Sequence, residues 1–243
     1  MAETSAPQDP QGRVGDPEGP PLAVIASVNV GTVRIQRLPP AFPEAGLVGP
    51  YRTAIRKTPV AGPVAVTPTG LAGDAQADPA NHGGPDKAVH AHFAQHLERW
   101  GAERGWVVAP GEIGENLLLA ALPGEPPPDE TSFCIGDILR AGTALLQVSQ
   151  PRIPCHKQAG ALELVDAVRR VAATGRCGFY LRVLSAGTVR AGDGLVLVDR
   201  PDVRVTVADA HRFVHQARMD SDLRARLRAV PALGADIRRR LAD

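Results

Sequence analysis

Cys155 is the residue best suited to chemistry in this sequence. It ends the segment Ser149-Gln150-Pro151-Arg152-Ile153-Pro154-Cys155, and Arg152, His156 and Lys157 all lie within three residues of it. Nearby positive charge lowers the pKa of a thiol from about 8.5 towards neutrality and favours the thiolate, which attacks electrophiles or binds metals. The alternative is a structural cysteine, the commoner case for an intracellular thiol. The local charge leaves both interpretations open.

The other two cysteines have different surroundings. Cys134 lies between Phe133 and Ile135, a setting that predicts a small buried apolar residue. Cys177, between Arg176 and Gly178, is intermediate. Three cysteines in a chain of 243 residues do not make a disulfide framework, so we expect reduced thiols and a cytoplasmic protein.

A second cluster of polar residues and glycines lies at residues 73–90. It contains a Gly-Gly-Pro turn followed by Asp86 and Lys87. The turn exposes backbone N–H groups, and Lys87 stands at the start of a predicted helix, so an anion could bind at this helix N-terminus. A plain turn capped by Asp86 is an equal alternative.

Four histidines, at positions 82, 90, 92 and 96, lie in or next to this cluster. His92 and His96 are four residues apart on the predicted helix, which is the spacing of zinc ligands. No glutamate follows His92, however, as the H-E-x-x-H pattern requires, so solvated or packed histidines are favoured.

Lysine is rare in this chain, and its three positions point to the same segments. Lys57, Lys87 and Lys157 are the only lysines among 27 basic residues, and each lies in a turn-rich segment that also holds Cys, His or Gly. Because lysine is a compact point charge and arginine a planar fork, the two are not interchangeable at a binding site. The three lysines are therefore candidate ligand-binding residues.

Many short strands and turns must position these residues, since the chain has 25 glycines and 23 prolines but only 4% aromatic residues. Residues 22–36 predict a β-hairpin that turns at 29–31. Apolar residues at helical spacing predict helices at 88–100 and around 164–174, the second ending before Gly175. Further strands are predicted at 63–67, 115–119, 138–149, 179–185 and 195–199.

The chain divides into three parts by composition. Residues 1–20 are acidic and proline-rich, which predicts a disordered tail rather than a signal peptide. Residues 21–200 form the main domain. Residues 201–243 predict three short helices, the first begun by a capping box at Thr206 and Asp209. Acidic residues interleave with the arginines of this last part, so solvated helix faces are favoured over a nucleic-acid surface.

Charge and missing motifs exclude several functional classes. The net charge is only +1, so we expect no nucleic-acid and no membrane partner. The sequence contains neither G-x-G-x-x-G nor G-x-x-x-x-G-K-[ST], which argues against dinucleotide and NTP sites of those kinds. Three scattered cysteines cannot furnish a four-cysteine iron–sulfur site. Electrons for any redox chemistry would have to come from another protein.

Six ordered motifs, spread between residues 73 and 183, resemble the MOSC family, named for the C-terminal domain of molybdenum cofactor sulfurase. The motifs are Gly73-Asp74-x-Gln76-x-Asp78, His82-Gly83-Gly84-Pro85-Asp86-Lys87-Ala88-Val89, Gly114-Glu115-Asn116-Leu117, Cys134-Ile135-Gly136-Asp137, Val148-Ser149-Gln150-Pro151-Arg152-x-Pro154-Cys155-x-Lys157 and Gly175-Arg176-Cys177-Gly178-Phe179-Tyr180-Leu181-Arg182-Val183. They are most similar to the stand-alone bacterial branch that confers resistance to N-hydroxylated purines. The resemblance covers residues 24–201, and the three predicted helices after it resemble the C-terminal domain of that branch.

The resemblance implies a mixed α/β, β-rich fold, a barrel-like MOSC domain with peripheral helices plus a C-terminal three-helix module. It also implies a pyranopterin molybdenum cofactor, with Cys155 as the protein ligand of the metal. Many relatives have tryptophan where His156 stands. Position by position, the resemblance implies that the cofactor is bound by Lys57, His82, Lys87, Asn116, Arg152, Lys157 and Arg176.

The reaction implied is the reduction of N-hydroxylated compounds, nucleobase analogues among them, by oxygen-atom transfer to the cysteine-bound molybdenum. Asp74 or Glu115 would deliver the protons. The partners implied are a small N-hydroxylated substrate and a separate electron-donor reductase, and a homodimer stays open. We expect no pyridoxal-phosphate domain in this chain. Two alternatives stay open as well: a non-catalytic carrier of the cofactor, and a metal-free sulfur-transfer enzyme that uses the Cys155 thiol.

Overall fold

The computed structural model describes residues 19–37, 50–216 and 220–242. The predicted tail at 1–20 therefore lies outside the described residues except for its last two. The strands are β1 (Pro21–Val30), β2 (Arg34–Arg37), β3 (Pro50–Thr53), β4 (Thr58–Pro59), β5 (Val64–Thr67), β6 (Gly70–Leu71), β7 (Val89–Phe93), β8 (Leu117–Ala120), β9 (Ile138–Ala141), β10 (Ala144–Pro151), β11 (Phe179–Ser185), β12 (Gly187–Val189) and β13 (Gly194–Asp199). The helices are α1 (Pro79–His82), α2 (Ala94–Arg104), α3 (His156–Leu162), α4 (Ala167–Thr174), α5 (Val207–Gln216), α6 (Ser221–Arg228) and α7 (Ala235–Ala242).

Seven of the strands close into a barrel. Their order is β1, β13, β9, β10, β11, β7 and β8, and β8 pairs with β1 again. Neighbouring strands run antiparallel except for β7 and β8, which are parallel. Closure leaves no free edge around the barrel, which removes the main site at which sheets pair with foreign strands.

Aromatic side chains pack in the barrel core. The rings of Phe93, Phe133 and Phe179 are fully buried, and their centroids lie 4.8 to 5.9 Å apart. Aromatic pairs at this spacing stabilise a core beyond the area that they bury. These rings lie on or beside β7, which follows the polar segment at 73–88, and β11, which follows the 149–157 segment after α3 and α4.

The C-terminal part forms three helices that pack against the barrel. The predicted capping box is present: the Asp209 N–H donates to Thr206 Oγ1 at 2.9 Å, and the Thr206 N–H donates to Asp209 Oδ2 at 3.3 Å. Leu223, Leu227 and Ile237 are buried in the same core cluster as the barrel residues. The predicted fold class, a β-rich barrel with peripheral helices and a three-helix C-terminal module, is confirmed.

Two elements differ from their predictions. Residues 89–93, predicted as the start of a helix, form strand β7, which is buried along its whole length between β11 and β8. The predicted hairpin at 22–36 is also wrong. Strand β1 pairs with β13, β8 and β4, and β2 pairs with β3 instead. In both cases long-range pairing decides the structure.

In the described part of the chain, no helix combines the length and the apolar character that crossing a bilayer requires.

Candidate cofactor site

One cavity brings together most of the predicted site residues. It has a volume of about 80 Å³ and lies where the 53–57 and 74–78 loops face the start of α3. All three lysines of the chain line it. The predicted residues in its wall are Lys57, Asp74, His82, Lys87, Asn116, Arg152, Cys155 and Lys157.

Cys155 lies between the end of β10 at Pro151 and the start of α3, in extended backbone that leads directly into the helix. Its side chain is partly exposed, and an Arg152 guanidinium nitrogen lies 3.8 Å from Sγ. Burial raises the pKa of this thiol, but hydrogen bonding to His82 and the charge of Arg152 outweigh it and lower the pKa to about 6. With this pKa the thiolate predominates at neutral pH, which favours the reactive one of the two interpretations that the sequence left open.

A buried ion pair forms the opposite wall. Lys57 Nζ donates to both carboxylate oxygens of Asp74, at 2.6 Å to Oδ2. Asp74 also accepts from the Gly31 N–H at 2.8 Å and from Asn116 Nδ2 at 2.9 Å. Asn116 Oδ1 in turn accepts from the His90 N–H at 3.1 Å. Burial lowers the pKa of Lys57, and the adjacent Asp74 carboxylate opposes that shift. Asp74 and Asn116 are thus fixed in position at the cavity wall.

Lys87 enters the cavity from the short 3-10 turn at Pro85–Lys87. Strand β7 follows this turn, so the helix N-terminus that the sequence predicted as an anion site is not there. Lys87 Nζ donates to the Asn81 carbonyl at 2.7 Å and forms an ion pair with Asp236 Oδ2 of α7 at 2.5 Å. The neighbouring Asp86 accepts from Arg182 at 2.7 Å and from the Ala235 N–H at 2.9 Å. The motif therefore holds both the cavity lysine and the first turn of α7.

Two predicted site residues lie outside the cavity wall. Glu115 is fully buried, and its Oε1 accepts from the Gly111 N–H. Burial raises its pKa to about 7 in spite of several backbone hydrogen bonds. Arg176 pairs with Glu103 at 2.7 Å and lies 4.1 Å from the ring centre of Trp100. Their roles in proton delivery and cofactor binding stay predictions.

Sequence reasoning missed three residues of this region. Tyr180 and His90 line the cavity, and Asp236 forms an ion pair with Lys87. Tyr180 lies inside the family motif at 175–183, so the motif was a signal that could have identified it. Asp236 is 149 positions from Lys87 in sequence, and no local pattern reports such a contact.

A wider cleft continues outward from the cavity. The two share Cys155, His82, Lys87 and Tyr180, and the cleft adds the exposed His156 on one side. On the other side α7 contributes Asp236, Arg239 and Arg240. The thiolate thus lies between an inner cavity lined by the lysines and an outer cleft walled by the C-terminal module.

The zinc interpretation of the histidines is wrong. His92 is on β7 and His96 on α2, and both are buried. Within residues 19–37, 50–216 and 220–242, no group of three or more His, Cys, Asp or Glu side chains could hold a metal ion. Packed histidines, the favoured alternative, are what the structure has.

The single thiolate of the site fits a metal whose other ligands come from a cofactor. Cys155 offers one thiolate, and thiolates are ligands that soft metal centres accept. A pyranopterin cofactor carries molybdenum on its own sulfur atoms and bears a phosphate, for which Lys87, Arg152 and Lys157 supply positive charge in the same cavity.

Comparisons with known proteins agree with this fold. A model of the MOSC domain family matches residues 78–196. The protein YflK of Bacillus subtilis is 40% identical over 161 residues, which are 66% of this chain and 70% of YflK. The crystal structure of YiiM from Geobacillus stearothermophilus is similar with a TM-score of 0.72 and 34% identity, over 90% of this chain and 97% of that one. The chain belongs to the MOSC domain family.

A third relative differs in length. A protein named "Reductase" from Gibberella moniliformis is 32% identical over 216 residues, which are 87% of this chain but only 36% of the fungal protein. Membership of the MOSC family associates this chain with the molybdenum cofactor.

Proposed function

We propose that this protein is a molybdenum-cofactor-dependent reductase of N-hydroxylated compounds, with Cys155 as the protein ligand of the metal. The observation that carries the proposal is the convergence of all three lysines and Arg152 around one partly exposed thiolate. The relative named a reductase supports the reaction class, although the match covers about a third of that protein. Nucleobase analogues are the substrates we expect.

When bound, the cofactor supplies the two electrons that, with two protons, convert an N–OH group to an amine and water. The chain supplies position and protons. Arg152 and Lys157 would hold the cofactor phosphate, and the Lys87 ammonium would add a further charge. Asp74 lines the cavity with both oxygens hydrogen-bonded to Lys57 Nζ, so this pair can pass a proton from Nζ through the carboxylate.

The outer cleft is the route that we propose for the substrate, because it reaches Cys155 from the solvent side. The electrons are supplied by a separate reductase, since the sequence has no nicotinamide fingerprint. A homodimer and a cytoplasmic location stay predictions.

The metal-free thiol enzyme is the second candidate, and the lowered pKa of Cys155 favours it. Molybdenum content separates it from the reductase, and turnover separates the reductase from a carrier.

The test is the molybdenum content of protein from cofactor-competent cells, with cofactor-deficient cells as the background. We expect about one molybdenum per chain, lost in Cys155→Ala because the thiolate ligand is gone. The buried Cys134→Ala is the matched control and should keep its metal. Equal metal in wild type and Cys155→Ala would refute the ligand assignment.

Turnover is measured next on the loaded protein, with an artificial low-potential donor and an N-hydroxylated nucleobase. Formation of the parent amine supports the reductase. Retained molybdenum without turnover, combined with transfer of the cofactor to an apo-enzyme, would establish the carrier instead.

A further inference from the structure

Lys87 already has a negative partner, and it comes from the C-terminal module. The Lys87 side chain is only 9% exposed, and Asp236 Oδ2 lies 2.5 Å from its ammonium. An ammonium this deeply buried requires compensation by a nearby negative charge. Asp236 lines the outer cleft together with Lys87, and its carboxylate takes a hydrogen-bonding position on the ammonium that an anionic ligand would otherwise use.

Asp236 has partners that remain if it leaves Lys87. Its Oδ1 pairs with Arg239, one turn further along α7, at 2.8 Å. Gln150 Nε2 donates to Oδ2 at 3.4 Å. The carboxylate would therefore not be stranded without hydrogen bonds after an anion replaced it at the lysine.

The start of α7 is anchored independently of this ion pair. The Ala235 N–H donates to Asp86 at 2.9 Å, and the Gly234 N–H donates to the Ser149 carbonyl at 2.8 Å. Further along the helix, Ile237 and Leu241 are buried. Loss of the Lys87 contact would thus loosen the first turn of α7 rather than detach the module.

We propose that Asp236 is the internal counter-ion of Lys87, that the phosphate of a bound ligand displaces it, and that α7 thereby sets the anion affinity of the cavity. The inference rests on the proposed function in one respect, since it takes Lys87 as an anion-binding residue. It goes beyond that function by making the three-helix module a part of the binding site.

The sign of the effect follows from Coulomb's law. With Asp236 ionised, an incoming phosphate must either compete with the carboxylate for Lys87 or bind beside it, and both cases weaken binding. Asp236→Asn keeps the size of the side chain and an oxygen that can accept from Arg239, but removes the charge. The variant should therefore bind phosphate more tightly than wild type.

The experiment measures inorganic phosphate binding to the full-length chain, purified from cofactor-deficient cells, by calorimetric titration. We expect Asp236→Asn to bind phosphate at least tenfold more tightly. Asp222→Asn is the matched control: Asp222 is the second residue of α6 as Asp236 is of α7, but it is 83% exposed and its ion pair is with Arg226. Equal or weaker binding by Asp236→Asn, or no phosphate binding by either protein, would overturn the proposal.

Two further measurements make the proposal independent of how well one variant folds. In a Lys87→Met background, the gain from Asp236→Asn should shrink to the small part due to charge repulsion alone, and an undiminished gain would contradict a role through Lys87. In wild type, saturating phosphate should speed hydrogen exchange of the amides at 235–238. Unchanged or slower exchange would count against displacement.

Failure here is distinguishable from failure of the proposed function. Molybdenum content of the wild type and Cys155→Ala tests the reductase, and phosphate binding involves no metal. A negative outcome in one of these two measurements does not change the conclusion from the other.

Discussion

At the scale of single residues, the three thiols of this chain differ because of where the backbone places them. Cys134 and Cys177 are buried, and burial raises the pKa of each. Cys155 is partly exposed at a strand-to-helix junction, where His82 and Arg152 lower its pKa to about 6 in spite of burial. The same side chain is thus inert at two positions and ionised at the third.

Alkylation of the native protein should show this difference directly. We expect the rate of iodoacetamide modification at Cys155 to rise with a midpoint near pH 6, because only the thiolate attacks. In His82→Ala the midpoint should move up towards the ordinary thiol value of about 8.5, since a contact that favours the thiolate is lost. The rate is followed by mass spectrometry of the Cys155 peptide.

The other two cysteines act as internal controls in that experiment. Their peptides should stay unmodified while the protein is folded. A wild-type midpoint above about pH 8 at Cys155 would contradict the proposed ionisation.

Whether a site residue could be predicted depended on how far it lies in sequence from the residues that it contacts. Arg152, one of the groups that lower the pKa of Cys155, lies three residues away in sequence, so the sequence could suggest a reactive thiol without deciding for it. His82, 73 positions away, was placed in the site only by family resemblance. Asp236 had no signal, because nothing in its own helix distinguishes it from the exposed Asp222.

At the scale of elements, β7 shows why local pattern misled. Val89, Phe93, Leu97 and Trp100 have helical spacing, but Val89 and Phe93 also fit the alternation of a strand. Both faces of β7 are buried, so polarity does not mark a strand there. By contrast β11 matched its prediction, 179–185, and α4 ends before Gly175 in the left-handed conformation as expected.

Gly178 is the position on which the junction of β7 and β11 depends. Its φ is +66°, and a Cβ there would lie 2.4 Å from the Ala91 carbonyl oxygen and 2.5 Å from His92 Nδ1. Gly178→Ala should therefore lower the free energy of unfolding by about 3 kcal/mol or more, through backbone strain and overlap with β7. Urea unfolding measures the change.

Gly192→Ala is the matched control. Its φ is +93°, but a Cβ there would have no atom within 4 Å, so only the backbone term of about 1 kcal/mol remains. Equal losses in the two variants would show that contact with β7 is not what Gly178 avoids.

At the scale of the whole molecule, barrel closure and helix docking place two carboxyl groups in the interior. Glu115 and Glu130 are both buried, and burial raises the pKa of each to about 7. In the unfolded chain such a group ionises near pH 4.3. The folded state binds the proton more tightly, so the stability contributed by these groups is complete at low pH and is lost as pH rises towards 7.

Glu115→Gln should remove that dependence for one of the two groups. The unfolding free energy of wild type, taken relative to the variant, should fall by about 2–3 kcal/mol between pH 5 and pH 8, because only wild type must bury a charge. Urea unfolding at several pH values measures the difference. Glu125→Gln, in an exposed loop, should track wild type, and a difference that is flat with pH would contradict the raised pKa of Glu115.

The closed arrangement itself could not be read from local patterns. Several strands were predicted near their observed positions, but the pairing of β1 with β13 joins residues more than 160 positions apart. Periodicity carries no information on such a contact, and only the six ordered motifs pointed to a barrel.

The gathering of every lysine in one cavity also has a practical consequence. An amine-directed reagent has three side-chain targets in the whole chain, and all of them line the candidate cofactor site. Lys157 is partly exposed while Lys57 and Lys87 are buried and ion-paired. Among side chains, mild acylation thus labels this one region, and protection of these lysines by a bound ligand reports occupancy without any mutation, tag or knowledge of the substrate.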